Sequence, residues 1–403
     1  MQTALPDSFR ATALGAEADA ILRSCVHCGF CNATCPTYQL LGDELDGPRG
    51  RIYQIKGMLE GAAVTRRTLT HLDRCLTCRN CESTCPSGVR YGRLLDIGRA
   101  TIEQRVARPW PQRVARWMLR RIVPYPARFT PLLRIGQLLR PLLFGALREK
   151  VPAYRRGGAW PAVRHPRHVL LLEGCAQPAI APGINAAAAQ VLDRLGLSAI
   201  RVAGEVCCGA ASHHTSGEHE ALEFARRNVD ALWPHIEAGA EAIVSSASGC
   251  GVFVKDYGHL LRDDPVYAGK AQRVAELTRD LSEVIGREDL AALRAGIVPG
   301  RRVAFQSPCS LQHGQKLNGR VEQILRELGF TLTAVPEGNL CCGSAGTYSL
   351  LQPALAQQLR RRKLDALASG APEVIVTANI GCLAHLQGGA PVAMRHWVEL
   401  LQP

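Results

Sequence analysis

Two cysteine runs of identical spacing constrain this chain more than any other feature. The first is Cys25, Cys28, Cys31 and Cys35, followed by Pro36; the second is Cys75, Cys78, Cys81 and Cys85, followed by Pro86. Both read C-x2-C-x2-C-x3-C-P. A cubane [4Fe–4S] cluster needs a thiolate on each of four irons. Three closely spaced cysteines can wrap three corners of one cube. The fourth follows a longer step, after which proline redirects the backbone. Structural zinc is the competing reading, but zinc sites usually pair two C-x2-4-C knuckles across a longer spacer. Here each knuckle carries a third cysteine and the whole pattern recurs, which favours two clusters.

In paired runs of this kind, the fourth cysteine of each serves the other cluster. The expected ligand sets are Cys25, Cys28, Cys31 and Cys85 for cluster 1, and Cys75, Cys78, Cys81 and Cys35 for cluster 2. His27 lies inside the first run, but the cysteines already fill the site, so it is expected beside the cluster or facing solvent. Helical patterns bracket both runs. Residues 8–24 place Leu14, Ala18, Ile21 and Leu22 on one face. A turn at Gly47–Gly50 precedes a helix from Arg51 to Glu60, and further helices are expected over Thr65 to Asp73 and Arg90 to Gln104. Such spacers suit an α-helical ferredoxin-like domain rather than the small β-rich ferredoxin.

The chain has 403 residues, long enough for two or three domains with real cores. Sixteen cysteines in a chain of this length, arranged in C-x2-C runs, imply metal and a reducing, cytoplasmic compartment rather than disulfides. The N-terminus has no basic region followed by an apolar core, so no signal peptide is expected. No apolar stretch reaches the ~18 residues of a membrane span. The net charge of +13 is concentrated: Arg105 to Arg167 holds fifteen Lys or Arg and one acid, Glu149, leaving about −1 for the rest. Within it, Arg113 to Val123 sets Val114, Trp117, Met118 and Ile122 against Arg113, Arg116 and Arg120. Leu132 to Leu147 is more apolar, broken by Arg134, Arg140 and Pro141. This segment is either a solvated linker with a few packed helices or an element that docks on a membrane surface or a partner. Nucleic-acid binding is disfavoured, because base-stacking aromatics are scarce.

From His168 an internal repeat begins. The first copy carries Cys175, then Cys207-Cys208-Gly209, then Cys250; the second carries Cys309, then Cys341-Cys342-Gly343, then Cys382. Thirty-one residues separate the first cysteine from the vicinal pair in both copies. Self-similarity of this kind marks duplicated modules. Apolar runs such as Val169–Leu172 and Val374–Val376 suit buried parallel strands. Helices ending at Gly196 and Gly329 occupy equivalent places. The cysteines fall just after strand ends, where open α/β sheets gather their ligands. Cys175, Cys207, Cys208 and Cys250 are expected to converge, as are Cys309, Cys341, Cys342 and Cys382. Each set is expected to line a pocket between the modules, holding an extra metal centre or receiving electrons, with Gly209 and Gly343 allowing close backbone approach. Buried thiols kept for packing are the alternative.

These residues together resemble the bacterial glycolate oxidase (glycolate dehydrogenase) iron–sulfur subunit family over nearly the whole length. The stretches that carry the resemblance are Cys25–Cys31, Pro36–Tyr53, His71–Cys81, Leu172–Pro178 and Asn379–Cys382. More broadly, two ferredoxin-type runs followed by two Cys-Cys-Gly modules are similar to heterodisulfide reductase subunits and to the anchor subunit of anaerobic glycerol-3-phosphate dehydrogenase. Modules of the heterodisulfide reductase kind often end C-x-x-C. Here Phe253 and His385 stand at that last position, which puts a five-cysteine noncubane cluster in doubt.

The resemblance implies a fold of class α + α/β. A helical ferredoxin-like domain over 1–104 would be followed by a basic connector over 105–167 and Cys-Cys-Gly modules over 168–300 and 301–403. It implies two [4Fe–4S] clusters and two FAD-bearing partner subunits, one of which oxidises glycolate to glyoxylate. This chain would relay the electrons to a membrane quinone from the inner face of the cytoplasmic membrane. No FAD or NAD is expected on the chain itself, since no strand is followed by G-x-G-x-x-G. The rival is a heterodisulfide-reductase-like or glycerol-3-phosphate-dehydrogenase-like iron–sulfur subunit.

Overall fold

Proline and threonine set the starts of the helices that frame the cysteine runs. Pro36 opens Pro36–Leu41 and Pro48 opens Pro48–Leu59, positions where a missing N–H costs nothing. Thr65 caps Arg66–Asp73. The helix expected over 8–24 is two, Asp7–Arg10 and Ala13–Ser24. They divide where the Thr12 hydroxyl accepts the Gly15 N–H at 3.0 Å. Tyr91–Arg105 completes the set. The structure, a computed structural model, describes residues 1–145, 148 and 151–402.

The chain divides into two compact units. One is Met1–Arg116 together with Asn339–Leu359; the other is Trp117–Gly338 together with Arg360–Pro403. In the first unit the helices bury Leu22, Ile55, Met58, Leu72, Leu94, Leu95 and Ile102 almost completely. Burying each such side chain contributes about 1.5–3 kcal/mol. Gly98 lets Tyr91–Arg105 lie directly on Pro48–Leu59, for a Cβ there would meet Ile55 Cγ1 at 2.6 Å.

The second unit contains two four-stranded parallel sheets. In the first, β1 (His168–Leu172), β2 (Ser198–Ile200), β3 (Ile243–Ser245) and β4 (Thr278–Asp280) lie in the order β2-β1-β3-β4. In the second, β5 (Arg302–Gln306), β6 (Thr331–Leu332), β7 (Val374–Thr377) and β8 (Met394–His396) lie in the order β6-β5-β7-β8. The pairings are all parallel. The fold is therefore the expected α + α/β, with a helical ferredoxin-like part and two duplicated modules. Each module also has a fourth strand, β4 or β8, that the repeat did not announce. Both follow the cysteine pattern and are only three residues long, too short for period-two alternation to register.

The basic segment folds as Trp110–Ile122 and Pro126–Leu139, then a 3₁₀ turn over Arg140–Leu142. The end of the apolar stretch expected to reach Leu147 lies outside the described residues. Trp110–Ile122 turns part of its arginine face inward. Arg116 is buried against Asp73 at 3.0 Å, beside Arg108, which grips the same carboxylate at 2.5 Å. Arg120 donates to the Thr215 carbonyl at 2.7 Å. Trp117 and Met118 are left exposed, as are Leu132, Ile135, Leu138, Leu142 and Phe144 further along. Among the described residues no helix is long and apolar enough to cross a membrane.

Burial alone would raise the Asp73 pKa, but the Arg108 hydrogen bond and the charges of Arg116 and Arg108 hold it below its ordinary value. A depressed carboxylate pKa contributes stability that is full above the unfolded pKa and is lost as pH falls through the folded one. Asp73→Ala should therefore cost about 3–5 kcal/mol by stranding the buried Arg116, while Arg108 keeps its other partner, Glu103. Its destabilisation relative to the parent should shrink as acid titrates the parent carboxylate. Urea melts at neutral pH and near pH 3 measure both effects; a loss below about 1 kcal/mol at neutral pH would make this a surface-like pair.

Candidate metal centres

The first run begins at a helix end and closes at a helix start, and the second begins just after Arg66–Asp73 and closes at the C-cap of Asn80–Thr84. Cys25 caps the C-terminus of Ala13–Ser24, and Cys35 stands at the N-cap of Pro36–Leu41. Between them the backbone turns left-handed at His27 and Gly29, and at the matching Thr77 and Arg79 of the second run. Alternating hands of this kind aim successive N–H groups into one concavity that favours anions. The Thr77 N–H accordingly points at Cys75 Sγ, at 3.4 Å.

The runs fold against each other so that the fourth cysteine of each changes sides. One cavity is lined by Cys25, Cys28, Cys31, Cys85 and also Cys81. A second is lined by Cys35, Cys75, Cys78 and Cys81. The thiols within each set feel one another. Burial, followed by the proximity of Cys25, Cys28 and Cys85, pushes the Cys31 thiol up to about 11. Burial, then Cys78, Cys75 and Cys35, raises Cys81 well above its ordinary value. Four thiolates so close repel strongly unless cationic iron lies between them. The donor set, its number and the anion-favouring backbone fit a [4Fe–4S] cluster in each cavity. His27 stays beside the first cavity, its ring edge-on to Tyr53 at 5.8 Å between centroids.

The two cavities differ in their surroundings. Cys28 is exposed, whereas Cys35, Cys75 and Cys81 are buried. Around the second cavity stand residues that sequence reading passed over. The Tyr91 hydroxyl lies 3.6 Å from Cys75 Sγ, and the fully buried Arg51 sends Nη1 to 4.0 Å from Cys35 Sγ. Arg51 sits in a quoted stretch, Pro36–Tyr53, but nothing in its local pattern marks an arginine inside a helix as buried.

In the first module the four cysteines neighbour one another. Cys175 follows β1 and Cys250 follows β3, the strands flanking the point where strand order reverses. Contact with Cys175 and burial raise Cys207; contact with Cys207 and burial raise Cys208; contact with Cys208 and burial raise Cys250. The sulfurs thus form a chain. Cys175, Cys208 and Cys250 line a cavity with Glu205, closed on one side by Ile380 of the second module. Glu205 is pushed up to about 7 by burial, against hydrogen bonds from the Glu173 and Gly174 N–H groups at 3.0 Å each. It was not singled out from sequence, although it stands two residues before the vicinal pair. Gly209 has φ 96° and its Cβ would meet Ala221 O at 2.9 Å; Gly343 has φ 89° and its Cβ would meet Ala356 O at 2.7 Å. Both therefore allow the close approach expected of them.

In the second module Cys309 follows β5 and Cys382 lies in Ile380–Leu386 after β7, where Asn379 Nδ2 reaches its sulfur at 3.5 Å. Cys341 and Cys342 belong to the first unit, Cys309 and Cys382 to the second. The modules meet directly through their cysteine-bearing turns. The Ser248 N–H donates to Ala378 O at 3.1 Å, the Gly249 N–H to Asn379 Oδ1 at 3.3 Å, and the Ser248 and Ser310 hydroxyls lie 2.8 Å apart.

Comparison with known proteins finds three matching stretches. Residues 21–89 match the 4Fe-4S dicluster domain, and residues 169–255 and 303–387 match the cysteine-rich domain named for its Cys-Cys-Gly motif. The glycolate oxidase iron-sulfur subunit of Escherichia coli (strain K12) is 57% identical over 403 residues, covering 100% of this chain and 98% of that protein. The chain belongs to the glycolate oxidase iron–sulfur subunit family. Lactate utilization protein A of Bacillus velezensis is 28% identical over 225 residues, 55% of this chain and 90% of that protein. Members of the glycolate oxidase iron–sulfur family carry an oxidoreductase role, and the iron–sulfur domains of this chain support electron transfer.

The crossing makes a specific expectation. Cys35→Ser should perturb the cluster of the second run, and Cys85→Ser that of the first, with iron and acid-labile sulfide falling from about eight each per chain. Electron paramagnetic resonance of the two variants decides it. Loss of the same signal from Cys35→Ser as from Cys31→Ser would mean that each run keeps its own fourth ligand.

Proposed function

We propose that this chain is the electron-relay subunit of a glycolate-oxidising complex. The observation that carries the reading is the pair of crossed four-cysteine cavities in a chain alike to a glycolate oxidase iron–sulfur subunit from end to end. Two FAD-bearing partner subunits complete the complex, and one of them oxidises glycolate to glyoxylate. Bound iron–sulfur clusters take one electron at a time and so divide the electron pair leaving a flavin. Cys25, Cys28, Cys31 and Cys85 hold one cluster; Cys35, Cys75, Cys78 and Cys81 hold the other. Buried side chains keep water from the second. Cys175, Cys207, Cys208 and Cys250 form an additional metal centre, with Cys309, Cys341, Cys342 and Cys382 as its counterpart. The acceptor is a membrane quinone.

A complex purified with its partners tests this. The parent should pass electrons from glycolate to a quinone analogue. Changing Cys207, Cys208, Cys341 and Cys342 to Ser should lower that turnover at least tenfold while glycolate still reduces the partner flavin. Full turnover with unaltered metal content would reduce these cysteines to packing residues. Disulfide reduction by the isolated chain would favour the heterodisulfide-reductase-like reading instead.

The chain works from the inner face of the cytoplasmic membrane. The support is the basic segment, which leaves Leu138 79% and Phe144 84% exposed and keeps Arg113, Arg121 and Arg128 at the surface. Apolar residues beside basic ones suit an anionic headgroup layer, at about 1 kcal/mol per basic residue near the surface. Replacing Trp117, Met118 and Leu138 by Ser and Arg121 by Gln should release the protein from sedimenting anionic vesicles. Arg116 and Arg120 are engaged internally and are left unchanged. Equal sedimentation of parent and variant would leave a solvated linker.

A further inference from the structure

Arg51 is the most deeply buried cation of the cluster-bearing unit, and the chemistry so far gives it no task. Its Nε donates to His71 O at 2.8 Å, and both Nη atoms lie 3.2 Å from Thr37 Oγ1. Its counter-charge is Asp46, also fully buried, at 3.4 Å. That carboxylate is shared. Arg74 takes its other oxygen at 2.8 Å, and His71 Nδ1 lies 3.1 Å from the first. One negative charge therefore faces two guanidiniums. A third, Arg99, donates to Cys75 O at 2.8 Å and to Thr77 Oγ1 at 3.0 Å. The opposing acid is Glu82 next to Cys81, tied down by the Gly92 N–H. Around Cys35 and Cys75 the guanidiniums named here outnumber the carboxylates, and of these groups Arg51 and Asp46 are fully buried while Arg74 is about one-third exposed.

Hydrogen bonds add to the asymmetry. Cys75 Sγ is approached by the Tyr91 hydroxyl and the Thr77 N–H, and Cys35 Sγ by Arg51. Around the first cavity Cys31 Sγ has its own backbone N–H and lies 4.0 Å from Asn32 Oδ1, an acceptor, with no guanidinium or hydroxyl against it among the described residues. Two cations stand at that cavity: the Met1 ammonium donates to Cys25 O at 2.7 Å, and Arg49 is partly exposed and paired with Glu44 at 2.7 Å, so neither is a buried charge beside a sulfur as Arg51 is. Net charge, donors to sulfur and solvent exposure are the levers that set cluster potential. A burial cost for an incompletely compensated guanidinium is understandable where an anionic cluster completes the compensation.

We infer that Arg51 is a redox-positioning residue. Its buried charge beside Cys35, with the Tyr91 hydroxyl on Cys75, makes the cluster held by Cys35, Cys75, Cys78 and Cys81 the more easily reduced of the pair. One electron then passes from the exposed Cys28 side to the buried side; one centre is oxidised, the other reduced, and no bond or proton changes place. The inference rests on the crossed ligand sets proposed above.

Redox titration of the full chain, followed by electron paramagnetic resonance after iron and sulfide are measured, tests it. Cys35→Ser identifies which signal belongs to which cluster. In the parent that cluster should be reduced first. Arg51→Gln should lower its potential by at least a tenfold change in the ratio of reduced to oxidised form, about 59 mV for one electron, and leave the other cluster unmoved. Arg51→Lys should restore most of the difference. Tyr91→Phe, which removes only a hydroxyl, should shift the same cluster in the same direction by less, and it decides the matter if Arg51→Gln does not fold. Equal potentials in the parent, or variants that move neither cluster or the other one, would overturn the role of Arg51. A single cluster per chain, or a Cys35→Ser variant that silences the signal of the first run, would instead overturn the ligand sets.

Discussion

Neither cysteine run can complete a four-sulfur cavity alone, and the first compact unit is built around that fact. Cys85 closes the cavity begun by Cys25, and Cys35 closes the one begun by Cys75. The helices Pro48–Leu59 and Tyr91–Arg105 hold the two runs in this exchange, at a separation small enough that Gly98 must lack a side chain. Core burial, the left-handed turns and the buried arginine network all serve one geometric end, the convergence of eight sulfurs from two distant stretches of chain.

Most of the architecture could be read from periodicity and spacing, because the features concerned are local. Regular cysteine steps, apolar runs and glycine stops report on a few residues at a time, and the helices around the clusters and the strands β1, β3, β5 and β7 followed from them. Helix ends moved by one to three residues where prolines and threonines act as caps; the helix read as starting at Arg51 begins at Pro48. What could not be read is long-range. Asp73 draws Arg108 and Arg116 inward from beyond thirty residues away, so the helix Trp110–Ile122 leaves Trp117 and Met118 outside. Arg51 and Asp46 look like an ordinary pair of solvated charges in sequence; only the packing of Arg66–Asp73 over them makes them buried. The thiols of the first module come together by strand order, which no single stretch encodes.

The two modules share a topology but not a chemistry. In the first, a carboxyl group, Glu205, shares the cavity of the cysteines and holds the Glu173–Gly174 turn that leads to Cys175. The corresponding position in the second copy, two residues before Cys341, is Asn339. An acid that burial pushes towards neutrality is a different neighbour for a metal centre than an amide. The duplication has therefore diverged where ligands gather while keeping its strand order intact.

The first unit is discontinuous, and one side chain shows how tightly it is closed. Asn80, between Cys78 and Cys81, donates to Thr34 O at 3.0 Å and to Asn339 O at 3.2 Å, while the Tyr348 hydroxyl donates to Arg74 O at 3.1 Å. A segment from near residue 350 thus finishes a structure whose other parts end at residue 116. Contacts so far apart in sequence are slow to form and late to arrive. During synthesis, the ferredoxin-like part leaves the ribosome without its last wall. That wall arrives only after more than two hundred further residues have emerged, so the order of synthesis makes the docking of Asn339–Leu359 the last step in closing this unit.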